Sequence, residues 1–239
     1  MTGMQREQER LQKILSAHGA VSRREAERMI LEGRVHVNGV MATLGQSAVF
    51  DLDHISVDGV PLTAGDRKIY VMLNKPRGFI STVRDERGRK TVMDLVSGVG
   101  ARVYPVGRLD MDSEGLLLFT NDGRFANAVA HPSYEKEKTY ETEVRGDVRK
   151  AADLLRQPVV IDNRTVQAVK VELISTIEAG GVLRITVIEG RNRQVRKMCA
   201  ACGVRVKSLK RISVGALGIG DLQSGHWRYL TEEEVQSLG

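Results

Sequence analysis

With 239 residues, 41% of them hydrophobic, the chain can bury one sizeable core and a small extra domain, and its two cysteines are too few for a disulfide framework. No apolar run approaches the roughly 20 residues that span a bilayer, and Met1 to Gln12 is polar and charged, so a membrane role is excluded and a cytoplasmic protein expected. The formal charge of +6 and pI near 9.4 favour an acidic partner such as nucleic acid, and the excess is concentrated: Gly181 to Arg211 holds nine basic residues and one acid, Glu189.

In chain order, Leu11, Ile14 and Leu15 fall at helical spacing, and Gly19 is expected to stop that helix in a left-handed conformation. Ser22-Arg23-Arg24-Glu25 reads as a capping box, with Val21 stapling against Ala26, for a second helix that buries Ala26, Met29 and Ile30 and ends at Gly33. Val35 and Val37 alternate with polar residues, Asn38-Gly39 makes a two-residue hairpin turn, and Ile55 to Val60 closes a second hairpin through Asp58-Gly59. This order, with Ser22 to Glu27 and Gly33 to Gly39, resembles the S-four-type RNA-binding domain. The resemblance implies that Arg23, Arg24 and Arg28 hold phosphate oxygens; charge alone leaves surface pairing with Glu27 and Glu32 equally open.

Pro61 to Arg67 reads as a linker between a first domain (1–60) and a second (68–239). Ile69 to Leu73 is an apolar strand, and Asn74-Lys75-Pro76-Arg77-Gly78 a turn that directs two cations beyond its end. Residues 82–91 form a charged, mobile loop. Gly107-Arg108-Leu109-Asp110-Met111-Asp112-Ser113-Glu114-Gly115 then crowds three carboxylates into a glycine-bounded loop feeding Leu116 to Phe119, which reads as a strand buried on both faces. By spacing alone the loop is either a solvated acidic turn or the rigid seat of a catalytic acid.

Arg124 to Ala130 is helical, and His131, before a proline, is structural. Strands are expected at Tyr140 to Val144, Val159 to Ile161, Val166 to Ile174 and Leu183 to Ile188. Cys199-Ala200-Ala201-Cys202 invites a redox or zinc reading. With Val195 and Met198, however, the cysteines fall at i, i+3, i+4 and i+7, one apolar stripe of a helix ended by Gly203. The same phase turns Arg193, Arg196 and Lys197 off the stripe's centre, free to face a cleft. Trp227 reads as a core anchor of the last strand, with base stacking as the alternative.

Three ordered segments, Gly107 to Gly115, Glu137-Lys138-Thr139-Tyr140 and Glu189 to Met198, resemble the motifs of the pseudouridine synthases of the RsuA and RluB family, as does the Asn-Lys-Pro-x-Gly segment at Asn74. The resemblance covers nearly the whole chain. It implies an α+β fold, a small two-helix plus hairpin RNA-binding domain followed by a catalytic domain with a bent, mainly antiparallel sheet. It also implies isomerisation of uridine to pseudouridine in ribosomal RNA, with no cofactor and no metal. Asp110 is the implied catalytic carboxylate, Arg196 the cation that keeps it ionised, Tyr140 the ring that stacks on uracil, and Arg108 the residue that fills the space left by the flipped nucleotide. Lys75, Asn192, Arg193, Gln194 and Lys197 are the further substrate-binding candidates, with Ile185 and Val187 as pocket floor. Ser113 stands where the family commonly has threonine. The fuller third motif is more like the RluB side, which acts on large-subunit RNA, and the partner expected is that RNA or a precursor particle, met by a monomer. A glycoside hydrolase using Asp110 with Asp112 or Glu114 would leave the basic segment unexplained; a non-catalytic assembly factor would tolerate loss of Asp110.

Overall fold

The computed structural model describes residues 8–19, 21–63 and 67–239, and the chain divides into two compact units, up to Lys68 and from Ile69 onward. Residues 64–66, in the middle of the expected linker, lie outside the described residues.

The first unit runs β1 (Glu9–Arg10), α1 (Leu11–His18), α2 (Arg23–Leu31), β2 (Val35–Val37), β3 (Val40–Met41), β4 (Ser47–Ala48), β5 (Ile55–Val57) and β6 (Val60–Pro61). Both helical stripes are buried: Leu11, Ile14 and Leu15 of α1 meet Ala26, Met29 and Ile30 of α2 over Val35, Val37 and Ile55. Both hairpins form, in the sheet order β3-β2-β5-β6. Asn38 also ties them together, its amide oxygen accepting from the His54 N–H at 2.8 Å and its amide nitrogen donating to Asp53 at 2.8 Å. Two expectations are corrected. Gly19 has a φ of −100° and is not left-handed; glycine fits there because a Cβ would stand 2.7 Å from the Leu15 carbonyl oxygen. Only half the capping box forms: Ser22 Oγ accepts from the Glu25 N–H at 3.1 Å, while the Glu25 carboxylate turns outward to Arg28 at 2.6 Å.

The second unit runs β7 (Tyr70–Lys75), α3 (Val92–Leu95), β8 (Tyr104–Val106), β9 (Glu114–Thr120), α4 (Gly123–Ala130), β10 (Lys138–Arg145), α5 (Val148–Leu155), β11 (Val159–Ile161), β12 (Arg164–Val166), β13 (Lys170–Ile177), β14 (Gly180–Val187), α6 (Gln194–Ala201), β15 (Arg205–Val214), β16 (Leu217–Gly218), β17 (Trp227–Tyr229) and α7 (Glu232–Leu238). Its main sheet has the order β13-β14-β10-β15-β9-β7-β17 and is antiparallel except where β9 meets β15. The fold is therefore α+β with a mainly antiparallel sheet, as expected.

Strand β9 is buried on both faces. Leu117 and Phe119 enter one core with Val71 and Leu73 of β7, whereas Leu116 and Leu118 enter the other with Met72, the alternation a pleated strand imposes. The single strand expected from Val166 to Ile174 is in fact two. Asp162 and Asn163, with φ of 49° and 58°, turn β11 into β12, and a new strand starts at Lys170. Trp227, on β17, pairs with Leu73 and packs against Gly98, which makes it the anchor of the last strand.

One edge of β9 is shared by two partners. At its start, Glu114 and Gly115 pair in parallel with Lys210 and Arg211 of β15; from Leu118 to Thr120 the same edge pairs with β8. Gly115 makes this possible. Its φ is 106°, and a Cβ there would collide with the Arg211 carbonyl and stand 2.7 Å from the Arg211 nitrogen. Beyond that short bridge β15 and β9 part, and the sheet opens.

Candidate active site

The loop 107–113 joins β8 to β9 at the point where the sheet opens. Its backbone is held from below. Lys75, at the end of β7 and fully buried, donates from Nζ to the carbonyls of Asp110 (3.1 Å), Ser113 (2.8 Å) and Pro76 (3.0 Å). Burial pushes its pKa down to about 8, against the pull of Asp110, Asp112 and Glu114. Gly78 N–H reaches the Met111 carbonyl at 2.8 Å, and Ser81 Oγ both accepts from Leu109 N–H (3.1 Å) and donates to Leu109 O (2.7 Å). A bond from Ser113 N–H to Asp110 O (3.0 Å) closes the turn.

The three carboxylates of the loop diverge. Asp112 takes a two-pronged hydrogen bond from Arg193 at 2.9 and 2.8 Å, which, with Arg196 adding to it, holds its pKa below the usual carboxylate range. Glu114 pairs with Arg77 at 3.3 Å. Asp110 keeps its carboxylate on the wall of a cavity of about 530 Å³, with the Arg193 guanidinium 3.7 Å from Oδ2. The volume lies in the range of small-ligand sites. Apolar walls come from Leu118, Tyr140, Val187 and Leu209, and Arg108, Asn192 and Arg193 also line it. Glu189, the other carboxylate on the wall, is engaged by Arg191.

The cation in direct contact with Asp110 is thus Arg193, not Arg196. Arg193 precedes α6 in a left-handed conformation, φ 52°, which swings its fork across to the acidic loop. Arg196, one turn on and mostly buried, braces the same loop instead: Nη2 donates to the Asp112 carbonyl (2.9 Å) and Ser113 Oγ (3.3 Å) and lies 3.4 Å from the Asp112 carboxylate. Burial lowers its pKa from the ordinary arginine value.

Other expected site residues fall into distinct places. Tyr140 is on the wall and 8% exposed. Arg108 lines the cavity, exposed, with no ion pair to Asp112 or Glu114 among the described residues. Asn192 is exposed there too, and Gln194, though on the wall, spends its side-chain oxygen on the Arg191 N–H at 3.1 Å. Lys75 is corrected from substrate contact to support, since no part of it is exposed. Lys197 is corrected likewise: it pairs with Asp162 of the β11–β12 turn and is not on the cavity wall. Val187 lines the cavity; Ile185 is buried behind it. In the first unit Arg23 and Arg24 are exposed without an ion pair among the described residues, whereas Arg28 is engaged by Glu25 (2.6 Å) and Glu32 (3.7 Å). Cys199 and Cys202 are buried on the α6 stripe as expected, and burial pushes the Cys199 thiol up to about 12.

Sequence reasoning missed three residues. Ser81 and Arg211 carried no local signal, because a mid-strand arginine and a loop serine are common. Lys138 lies two positions before Tyr140 on one strand, so alternation alone would have aimed it at the same cavity.

The profile described as RNA pseudouridylate synthase matches residues 69–201, and that of the S4 domain matches residues 9–47. The chain is 42% identical to ribosomal large subunit pseudouridine synthase B of Bacillus subtilis, over 96% of this chain and 95% of that one. It is 40% identical to an uncharacterized RNA pseudouridine synthase of Aquifex aeolicus, over 96% and 93%. A crystal structure of a pseudouridylate synthase superposes with a TM-score of 0.68 at 26% identity, covering 96% of this chain and 99% of that one.

Proposed function

Since the chain belongs to the RNA pseudouridylate synthase family and carries an S4 domain ahead of the catalytic one, we propose that it isomerises one uridine of large-subunit ribosomal RNA, with Asp110 as the catalytic carboxylate. The choice of RNA rests on the relative in Bacillus subtilis, a large-subunit enzyme by name. The choice of carboxylate rests on one observation: of the three acids in the loop, Asp112 and Glu114 are engaged by Arg193 and Arg77 and only Asp110 lines the cavity.

The reaction breaks the glycosidic bond, turns the freed uracil and joins its C5 to C1′. No oxidation state changes, so no cofactor is required. Arg193 sets its guanidinium 3.7 Å from the Asp110 carboxylate, and Arg196 and Lys75 fix the loop's backbone so that the carboxylate cannot drift. Tyr140 offers its ring to the flipped base, a rigid surface with little entropy to lose, while apolar neighbours exclude water that would carry the detached base away. Arg108, exposed at the cavity, enters the space the nucleotide leaves. Asp110 acts either by attacking C1′ or by taking the C2′ proton. A single chain carries every group named.

The test is conversion in 23S and 16S transcripts and in precursor particles, comparing wild type with Asp110→Asn and measuring RNA affinity in parallel. Conversion at one mapped large-subunit uridine, abolished by the substitution while affinity is kept, is the expected result. A modified site in 16S RNA would overturn the choice of subunit, and binding without conversion on any substrate would overturn the enzymatic reading for this chain.

A further inference from the structure

Two cations on the cavity wall, Arg211 buried and Lys138 half-buried, have no role in the account so far. Lys138 and Arg211 both line it, and no carboxylate pairs with either among the described residues. Lys138 Nζ donates to the carbonyls of Lys136 (2.8 Å) and Ile188 (3.1 Å), which leaves one of its three N–H groups unspent. Arg211 is 5% exposed, and its Nε donates to the Leu116 carbonyl at 2.8 Å; its terminal nitrogens have no acceptor among the described residues. Holding two positive charges on a partly desolvated wall without a counter-ion is costly, and the cost is expected where a ligand supplies the missing charge. Burial, followed by the nearby Arg211, pushes the Lys138 pKa below the ordinary lysine value, as this arrangement requires.

Their positions say what that charge is. Lys138 and Tyr140 share a face of β10, and Arg211 is the cross-strand partner of Tyr140. The two cations therefore flank the tyrosine ring. Phosphates of an RNA strand stay at the rim when a base is flipped inward, where exposed arginines are already available, so the inner wall meets the base itself.

We propose that Lys138 and Arg211 form an anion seat for the departing uracil, an inference that rests on the pseudouridine synthase reading above. When the C1′–N1 bond breaks, both its electrons leave with the ring, and the negative charge spreads over N1, O2 and O4. The seat holds that charge while the ring turns. It is discharged when C5 bonds to C1′, the C5 proton departs and N1 takes one up. Fixed charges in a water-poor cavity lower the barrier to bond cleavage because they need no reorganisation as the charge appears.

The experiment measures the saturating single-turnover rate and RNA affinity separately for wild type, Lys138→Met, Lys138→Gln and Lys138→Arg, with thermal unfolding as a check on the fold. Two substrates are used: the RNA with uridine at the mapped site and the same RNA with 5-fluorouridine, whose base departs more readily as an anion; because fluorine replaces the proton that C5 must lose, the rate read on both is loss of the starting N1-linked nucleoside. The neutral variants should lose about 100-fold in rate with affinity within about twofold of wild type. Lys138→Arg should recover most of the loss, and the deficit should shrink on the fluorinated base. Lowered affinity with an unchanged saturating rate would overturn the proposal in favour of a phosphate contact. An equal deficit on both bases, or no recovery in Lys138→Arg, would overturn it in favour of packing. Absence of conversion by wild type on both substrates would instead defeat the functional reading beneath it.

Discussion

At the scale of single residues, the acidic loop is governed by three cations with different tasks. Arg193 is about 40% exposed and Arg196 13% exposed, so removing them should have opposite balances of effect. Arg193→Ala gives up a solvent-screened pair and is expected to cost under about 1 kcal/mol of stability while lowering turnover strongly. Arg196→Ala strands the half-buried Asp112 carbonyl and the buried Ser113 hydroxyl and should cost about 1–3 kcal/mol. Denaturant unfolding and single-turnover rates on the same preparations would separate the two, and a large stability loss in Arg193→Ala would contradict this division. Lys75 adds a pH signature. Its pKa in the fold is about 8 and that of an unfolded lysine about 10.5. Between those values the unfolded chain binds more protons, so this group makes the fold more stable as pH rises through the window. In Lys75→Met the stability of the second unit should fall overall and its rise from pH 8 to 10.5 should flatten. A slope unchanged from wild type would show that Lys75 does not titrate there.

At the scale of elements, the site depends on β9 changing partners along one edge. Gly115→Ala should break the parallel bridge to β15, because both the positive φ and the Arg211 backbone oppose a Cβ, at a cost of about 4 kcal/mol or more. A cooperative unfolding transition near that of wild type would refute this. Elements with their own periodic signal were legible in the sequence: the α1 and α2 stripes, both hairpins, the doubly buried Leu116 to Phe119 and the cysteine-bearing face of α6. So was the family, through the resemblance carried by the acidic loop and the two later motifs. What stayed hidden were relations between distant segments. That β9 runs parallel to β15 depends on the long crossover from Thr120 to Arg205, and that Arg193 rather than Arg196 reaches Asp110 depends on one left-handed residue ahead of α6. Three helices were missed despite their signals, the short α3 among them with a capping box of Thr91 and Asp94. Val148, Ala151, Ala152 and Leu155 repeat at helical spacing behind an Asp147 cap, and Thr231 and Glu234 form a complete capping box at the last helix.

At the scale of the whole molecule, each unit has its own buried core, and the proposed function divides RNA contact between them. Replacing Arg23 and Arg24 together by alanine removes two exposed charges, without an ion pair among the described residues, from the first unit without touching its core. If both meet phosphates, the plot of log affinity against log salt should lose a slope of about 1.5, with saturating turnover intact. A variant that binds with the wild-type salt slope would exclude both from the interface. The units also differ in what they absorb. The single tryptophan, Trp227, anchors β17 in the second unit, and all five tyrosines (Tyr70, Tyr104, Tyr134, Tyr140 and Tyr229) lie in that unit as well. The RNA-binding unit, with only Phe50 as an aromatic, is nearly dark in the near ultraviolet. Intrinsic fluorescence therefore watches the catalytic unit alone, while far-ultraviolet circular dichroism sees both, and any offset between the two melting curves measures how independently the halves of this protein come apart.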